Sequence, residues 1–180
     1  MLLVVDNGSI YTKQLTDFLS QKNVLFEKQS PQLFNLDSLS NYDSFILSGR
    51  RKNEKKINEI NSKIITYCIE NDIKLLGICY GAEILALTLG GTIRKTTSIQ
   101  KGSESIQTLK DNSICSDSLD VFESHSFEIS KLPNMLVHLA QSKNCKYEII
   151  QYKKKPIFGT QFHPEMSEDG KYLIEKFCLL

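Results

Sequence analysis

Four consecutive apolar residues, Leu2–Val5, stop abruptly at Asp6 and Gly8, the pattern of a strand buried on both faces. Tyr11, Leu15, Phe18 and Leu19 then recur at helical spacing, with Thr12, Lys13, Gln14 and Asp17 on the opposite face. Residues 24–27 and 45–47 are the next two strand candidates, the second broken at Ser48-Gly49. Ile57, Ile60, Ile64, Ile65 and Cys68 mark a helix of about four turns that stops near Asn71. Lys74–Ile78 reads as another buried strand, and residues 82–89 as a helix closed by Gly90-Gly91. Strands alternating with helices predict an α/β fold in three layers. A mostly parallel central sheet carries helices on both faces, with the chemistry at the carboxyl ends of the strands.

The second half changes character. Short strand candidates at 92–94, 105–109, 119–122, Leu136–Gln141, 147–152 and 157–161 are separated by turn signals and predict an antiparallel extension of the sheet. The last two flank a turn containing Lys153-Lys154-Lys155-Pro156, so a hairpin would deliver the residues that follow it to the site. Residues 169–180 read as a closing helix with Tyr172, Leu173, Phe177 and Leu180 inward. With no internal repeat, low-complexity stretch or linker, residues 1–180 are expected to form a single domain.

Composition adds mainly exclusions. Hydrophobic residues make up 41% and charged residues 24% of the 180, and the formal net charge is +1. That balance gives no electrostatic case for nucleic acid or for a membrane surface as a partner. The lysine turn and the basic residues from Arg50 to Lys56 read as a solvated hairpin turn and a helix start. The first apolar run is too short for a signal-peptide core, and no run approaches the roughly 18 apolar residues of a membrane helix. Five cysteines at scattered spacings argue against a disulfide framework and for the reducing cytoplasm. Cys68, Cys115, Cys145 and Cys178 read as packing or surface thiols, and His138, on an apolar run, as structural. No Cys/His pair has zinc spacing, and neither a GxxxxGK nor a strand-linked GxGxxG loop is present, so no metal or cofactor is expected.

The fifth cysteine differs. In Gly77-Ile78-Cys79-Tyr80-Gly81 an apolar strand runs into a small-residue corner that opens directly into a helix, the layout of a nucleophile elbow. The helix start is expected to favour a thiolate at Cys79. Far downstream, Gly159-Thr160-Gln161-Phe162-His163-Pro164-Glu165 supplies a complement. In an extended segment His163 and Glu165 lie on one side, as a base and the carboxylate that orients it must.

These two motifs resemble the class I glutamine amidotransferases, which carry G-x-C-x-G and a late F-H-P-E. The run Val5-Asp6-Asn7-Gly8-Ser9-Ile10-Tyr11-Thr12 and the run Lys155 to Glu165 are further similar to the amidotransferase part of GMP synthases. The similarity extends over nearly the whole chain. It implies the family's flavodoxin-like fold and a reaction in which Cys79 attacks the side-chain amide of glutamine. His163 would move the protons, Glu165 would hold the imidazole, and the glutamyl thioester would be hydrolysed. The N–H of Tyr80 would be one oxyanion donor. The other comes in the family from a Ser-Gly-Gly-Pro loop, which here reads Ser48-Gly49-Arg50-Arg51, so Gly49 is the expected donor and Arg50 a candidate for binding a substrate carboxylate. Glu83 stands where the family usually has glutamine in contact with substrate; it suits a cationic group and would repel a carboxylate. Ser124-His125-Ser126 matches a family loop near the glutamine site, which makes His125 either a substrate or interface residue or a plain loop histidine. An ATP-using acceptor site would have to sit on a separate synthetase, of the ATP-pyrophosphatase type in the GMP synthase reading. A stand-alone hydrolase of another γ-glutamyl substrate and a catalytically quiet regulatory subunit are the alternatives.

Overall fold

The computed structural model describes residues 1–50, 52–153 and 155–180; Arg51 of the Ser48-Gly49-Arg50-Arg51 loop and Lys154 of the lysine turn lie outside the described residues. The first half alternates as its pattern predicts: β1 (Leu2–Val5), α1 (Thr12–Gln21), β2 (Phe26–Gln29), β3 (Ser44–Leu47), α2 (Lys55–Glu70), β4 (Lys74–Ile78) and α3 (Tyr80–Thr88). The second half comprises β5 (Thr92–Thr108), β6 (Ser118–Lys131), β7 (Leu136–Gln141), β8 (Ile149–Tyr152), β9 (Ile157–Thr160) and α4 (Glu168–Leu179). All nine strands join one sheet in the order β2-β1-β3-β4-β9-β8-β7-β5-β6. The neighbours from β2 to β9 are parallel and those from β9 to β6 antiparallel.

The apolar runs fill both faces because successive side chains of a strand point to opposite sides. Leu2 and Val4 of β1 meet Leu15, Phe18 and Leu19 of α1 and Leu173, Ile174 and Phe177 of α4. Leu3 and Val5 face Ile57, Ile64 and Ile65 of α2 and Ile84 and Leu85 of α3. Helices therefore cover both faces of the parallel half. Ser167 caps α4, its hydroxyl accepting the Gly170 N–H at 3.2 Å, with Glu168 and Asp169 in the first turn.

Three sequence expectations need correction. Tyr172 and Leu180, expected inward on the closing helix, are exposed, because α4 turns Leu173, Ile174 and Phe177 to the sheet. Segments 92–94 and 105–109 are ends of one 17-residue strand, and 119–122 is part of a 14-residue strand, so Ser124-His125-Ser126 lies within β6 and not in a loop. The middle of β5 is polar and mostly exposed, so it carries no hydrophobic signal. It is a strand because it pairs with β6, as Gln100↔His125 and Glu104↔Val121, with an irregularity between Lys95 and Gln100. Smaller shifts place β2 two residues later than expected and start α3 at Tyr80.

The elbow between β4 and α3 depends on close approach. A Cβ on Gly77 would stand 2.5 Å from the carbonyl of Gly81, and one on Gly81 would stand 2.5 Å from the Leu47 carbonyl oxygen. Both obstacles are backbone, which cannot swing aside. Gly77→Ala and Gly81→Ala are each expected to lower the thermal midpoint by several degrees, about 2–4 °C per kcal/mol for a chain of this size. Circular dichroism melts equal to wild type for both would show that the elbow has slack.

Candidate active site

Cys79 lies at the carboxyl end of β4 with φ 50° and ψ −100°, a conformation that an L side chain rarely takes. The corner is held from both sides. Cys79 N–H donates to the Thr160 carbonyl at 2.7 Å, and its own carbonyl accepts the N–H groups of Ala82 and Glu83, both at 3.0 Å. The neighbouring Tyr80 N–H favours the charged form of the sulfur. Burial acts the other way and is the larger effect; with Glu83, Glu123 and Glu165 nearby it pushes the thiol well above its ordinary pKa. The helix start alone therefore does not give the expected resting thiolate. A partner must accept the proton.

His163 follows β9, the strand beside β4, and reaches the same edge of the sheet. Its Nδ1 is 2.9 Å from Glu165 Oε1 and both side chains are buried, His163 being 3% and Glu165 1% exposed. A carboxylate on Nδ1 fixes the proton there and leaves Nε2 as the basic nitrogen. The ring is closely packed. The Tyr11 ring meets it edge-on with centroids 4.6 Å apart, and a Cβ on Gly49 would stand 2.8 Å from its Cε1. The His163 N–H donates to the Phe122 carbonyl at 2.9 Å, tying the segment to β6.

The Gly49–Arg50 loop is braced from beneath. The Asn7 N–H donates to Ser48 Oγ at 2.9 Å and Asn7 Nδ2 to the Ser48 carbonyl at 3.0 Å, while Asn61 Nδ2 donates to Asn7 Oδ1 at 2.8 Å. Arg50 stacks its guanidinium 4.2 Å above the Tyr80 ring and donates to Asn53 Oδ1 at 2.7 Å and Asn58 Oδ1 at 3.1 Å.

A cavity of about 200 Å³ opens here, lined by Cys79, Tyr80, Arg50, Glu83 and His125 among others. Five of the eight sequence candidates thus share one cavity; His163, Glu165 and Gly49 are not among its lining residues, and His163 packs against Gly49. Glu83, 4% exposed, accepts from Gln161 Nε2 at 3.4 Å. Burial raises its pKa, against the pull of Gln161, Arg50 and His125. With Arg50 and His125 nearby, Glu83 does not make the cavity uniformly hostile to a carboxylate. Burial disfavours charge on His125, but Glu123, the Phe127 carbonyl and Glu83 outweigh it and raise its pKa.

Sequence reasoning missed Tyr11, Gln161, Glu123 and Glu148. Gln161 immediately precedes the F-H-P-E run and Glu123 stands two residues before His125, so adjacency to the motifs was the available signal. Glu148 offered none. Among the described residues no group of three or more His, Cys, Asp or Glu could hold a metal ion, and no helix is long and apolar enough to cross a membrane.

Residues 3–179 match the glutamine amidotransferase class-I family. The chain belongs to that family. Among similar relatives is a glutamine-hydrolyzing GMP synthase subunit of Methanocaldococcus jannaschii, 27% identical over 99% of this chain and 96% of that protein. The glutamine-hydrolyzing GMP synthase of Aliivibrio fischeri is 28% identical over 99% of this chain, which spans only 35% of that longer protein. Among solved structures, a protein of Thermoplasma acidophilum described as a GMP synthase subunit superposes with a TM-score of 0.87 at 26% identity, over 98% of this chain and 91% of the other. A glutamine amidotransferase of Thermotoga maritima gives a TM-score of 0.78 at 23% identity, over 97% and 80% of the two chains, a likeness of fold. The three-layer α/β architecture of class-I amidotransferases is thus the architecture of this chain.

Proposed function

We propose that residues 1–180 serve as the glutaminase component of a two-subunit GMP synthase. Glutamine is hydrolysed to glutamate and ammonia, and the ammonia passes to a separate ATP-pyrophosphatase synthetase subunit that converts XMP to GMP. The observation that carries this reading is the likeness, over 99% of this chain, to the glutamine-hydrolyzing GMP synthase subunit of Methanocaldococcus jannaschii, within the class-I amidotransferase match of residues 3–179. The free thiols of all five cysteines suit a cytoplasmic enzyme.

In this mechanism His163 Nε2 takes the Cys79 proton as the sulfur attacks the carboxamide carbon. Charge that develops on the amide oxygen is met by the Tyr80 N–H, with the Gly49 N–H as second donor. His163 returns the proton to the departing nitrogen, ammonia leaves and the glutamyl thioester remains. Water, deprotonated by His163, then attacks the thioester, releasing glutamate and restoring the thiol. Glutamine carries an α-ammonium as well as an α-carboxylate. Glu83 suits the first and Arg50 the second, so Glu83 fits glutamine without any other γ-glutamyl substrate. The paired His163 and Glu165 side chains argue against a catalytically quiet protein.

A glutamine-like electrophile of the diazo-oxo-norleucine class is expected to alkylate Cys79 alone, with loss of dinitrogen and a stable thioether. Peptide mapping by mass spectrometry reads the site. Label on Cys68 or Cys145 with Cys79 untouched would remove the nucleophile assignment.

A further inference from the structure

Behind the cavity lies a group of buried charges that the mechanism above does not use. Glu123, 5% exposed, and Glu148, fully buried, have all four carboxyl oxygens without a hydrogen-bond donor, and His125 Nε2 is likewise without a partner. Seven such orphaned side-chain atoms are found among the described residues, and five of them belong to these three side chains. Leaving buried polar groups unpaired is costly, and more so when they are charged, so their protonation states must compensate.

The geometry restricts those states. His125 Nδ1 stands 2.8 Å from the Phe127 carbonyl, which can only accept, so Nδ1 carries a proton. Nε2 stands 3.0 Å from Glu123 Oε2, close enough for an ion pair though not aligned as a hydrogen bond. The Glu148 carboxyl lies beside that of Glu123, with the Ser142 hydroxyl also acting on it. Two adjacent carboxyls shut away from water cannot both ionise, so the pair holds one proton. Glu148 is the holder, because burial and then the Glu123 charge push its pKa well up. Glu123 remains the counter-ion of His125. Both ring nitrogens are then occupied, and His125 acts on the cavity through its charge. The groups facing the array are Glu83 of α3, with Arg50 beside it, Cys79, Cys145 and, farther off, Glu104 of β5.

We propose that Glu148 and Glu123 form an acid–carboxylate pair that holds His125 as an imidazolium, and that this buried array keeps Glu83 anionic as the seat for the ammonium group of an amino-acid substrate. Glu83 is the binding group; His125, Glu123 and Glu148 are positioning residues. The substrate half of the proposal rests on the glutaminase reading, and the protonation half does not. The sign follows from burial, which raises the Glu83 pKa. Ammonium binding is present above that pKa and is lost as pH falls through it. Removing the His125 charge moves the loss to higher pH.

Nitrogen-15 NMR of the histidine side chains tests the protonation half directly, since the chain has only 3 histidines. In the wild-type protein at neutral pH, His125 is expected to show two protonated ring nitrogens. Glu123→Gln should convert it to the neutral ring protonated at Nδ1. Glu148→Gln should leave it an imidazolium, because an amide still donates to Glu123. The substrate half is read by glutamate release in the presence of the synthetase partner. Glu123→Gln should raise the KM for glutamine about tenfold near neutral pH, the low end for loss of a charge-assisted hydrogen bond, with kcat changed far less and recovery at alkaline pH. In a Glu83→Gln background the same substitution should leave KM nearly flat. A neutral His125 in the wild type, or an imidazolium that survives Glu123→Gln, would overturn the proposal. So would a KM effect undiminished in the Glu83→Gln background. Absence of glutaminase activity in the wild type would instead count against the functional reading, with the NMR result still deciding the array.

Discussion

Cys79→Gly is expected to abolish glutamine hydrolysis and yet to melt at a higher temperature than Cys79→Ala. Both variants lack the sulfur, so neither can form the thioester. They differ in the backbone: φ 50° with ψ −100° is open to glycine and costs a residue with a Cβ about 1–3 kcal/mol. Taking the lower part of that range, about 1–2 kcal/mol, and about 2–4 °C per kcal/mol, glycine should melt about 2–8 °C above alanine. Thermal melts followed by circular dichroism, beside glutamate release, make the comparison. Equal midpoints for the two would mean that no strain is stored at Cys79. Turnover by either would end its assignment as nucleophile.

His163→Ala should reduce turnover by about 10³-fold or more. The thiol is held neutral by burial, so few ionised sulfurs exist to react when no base takes the proton. The same variant loses the acid that protonates the leaving nitrogen. Alkylation of Cys79 should slow alongside turnover, because both begin with the same proton transfer. Glu165→Gln should fall between His163→Ala and wild type, since an amide oxygen can still accept the Nδ1 proton but carries no charge to stabilise an imidazolium. Single-turnover glutamate release measures all three, and near-ultraviolet circular dichroism checks that the folds persist. Wild-type turnover in His163→Ala would dismantle the triad.

The parallel half of the molecule was legible in the chain because strands buried on both faces must be apolar throughout; Leu2–Val5 and Lys74–Ile78 were read at their observed limits. The β5–β6 hairpin was not, because its middle is exposed and held by backbone pairing between polar segments, which leaves no hydrophobic period. The catalytic candidates were legible for a related reason. An elbow needs small residues at fixed offsets, and an imidazole with its carboxylate needs a fixed spacing, so both leave local marks. The electrostatics around them left none. Cys79 stood at a helix start, but its burial, which outweighs that start, belongs to the packed state. Most glutamates are exposed, and only the fold turns Glu123 and Glu148 inward.

The packing of His163 also governs how the proposed cycle handles its proton. Tyr11 stands against the ring, a Cβ at Gly49 would collide with it, and Glu165 holds Nδ1 at 2.9 Å. An imidazole clamped in this way cannot turn over to exchange its two nitrogens. A proton taken from sulfur enters at Nε2 and has to depart by Nε2, toward whichever atom then occupies the cavity. The ring works as a store with a single port. The order of events at that port, thiol first, departing ammonia next and water last, is therefore set by what sits in front of it and not by any motion of the histidine.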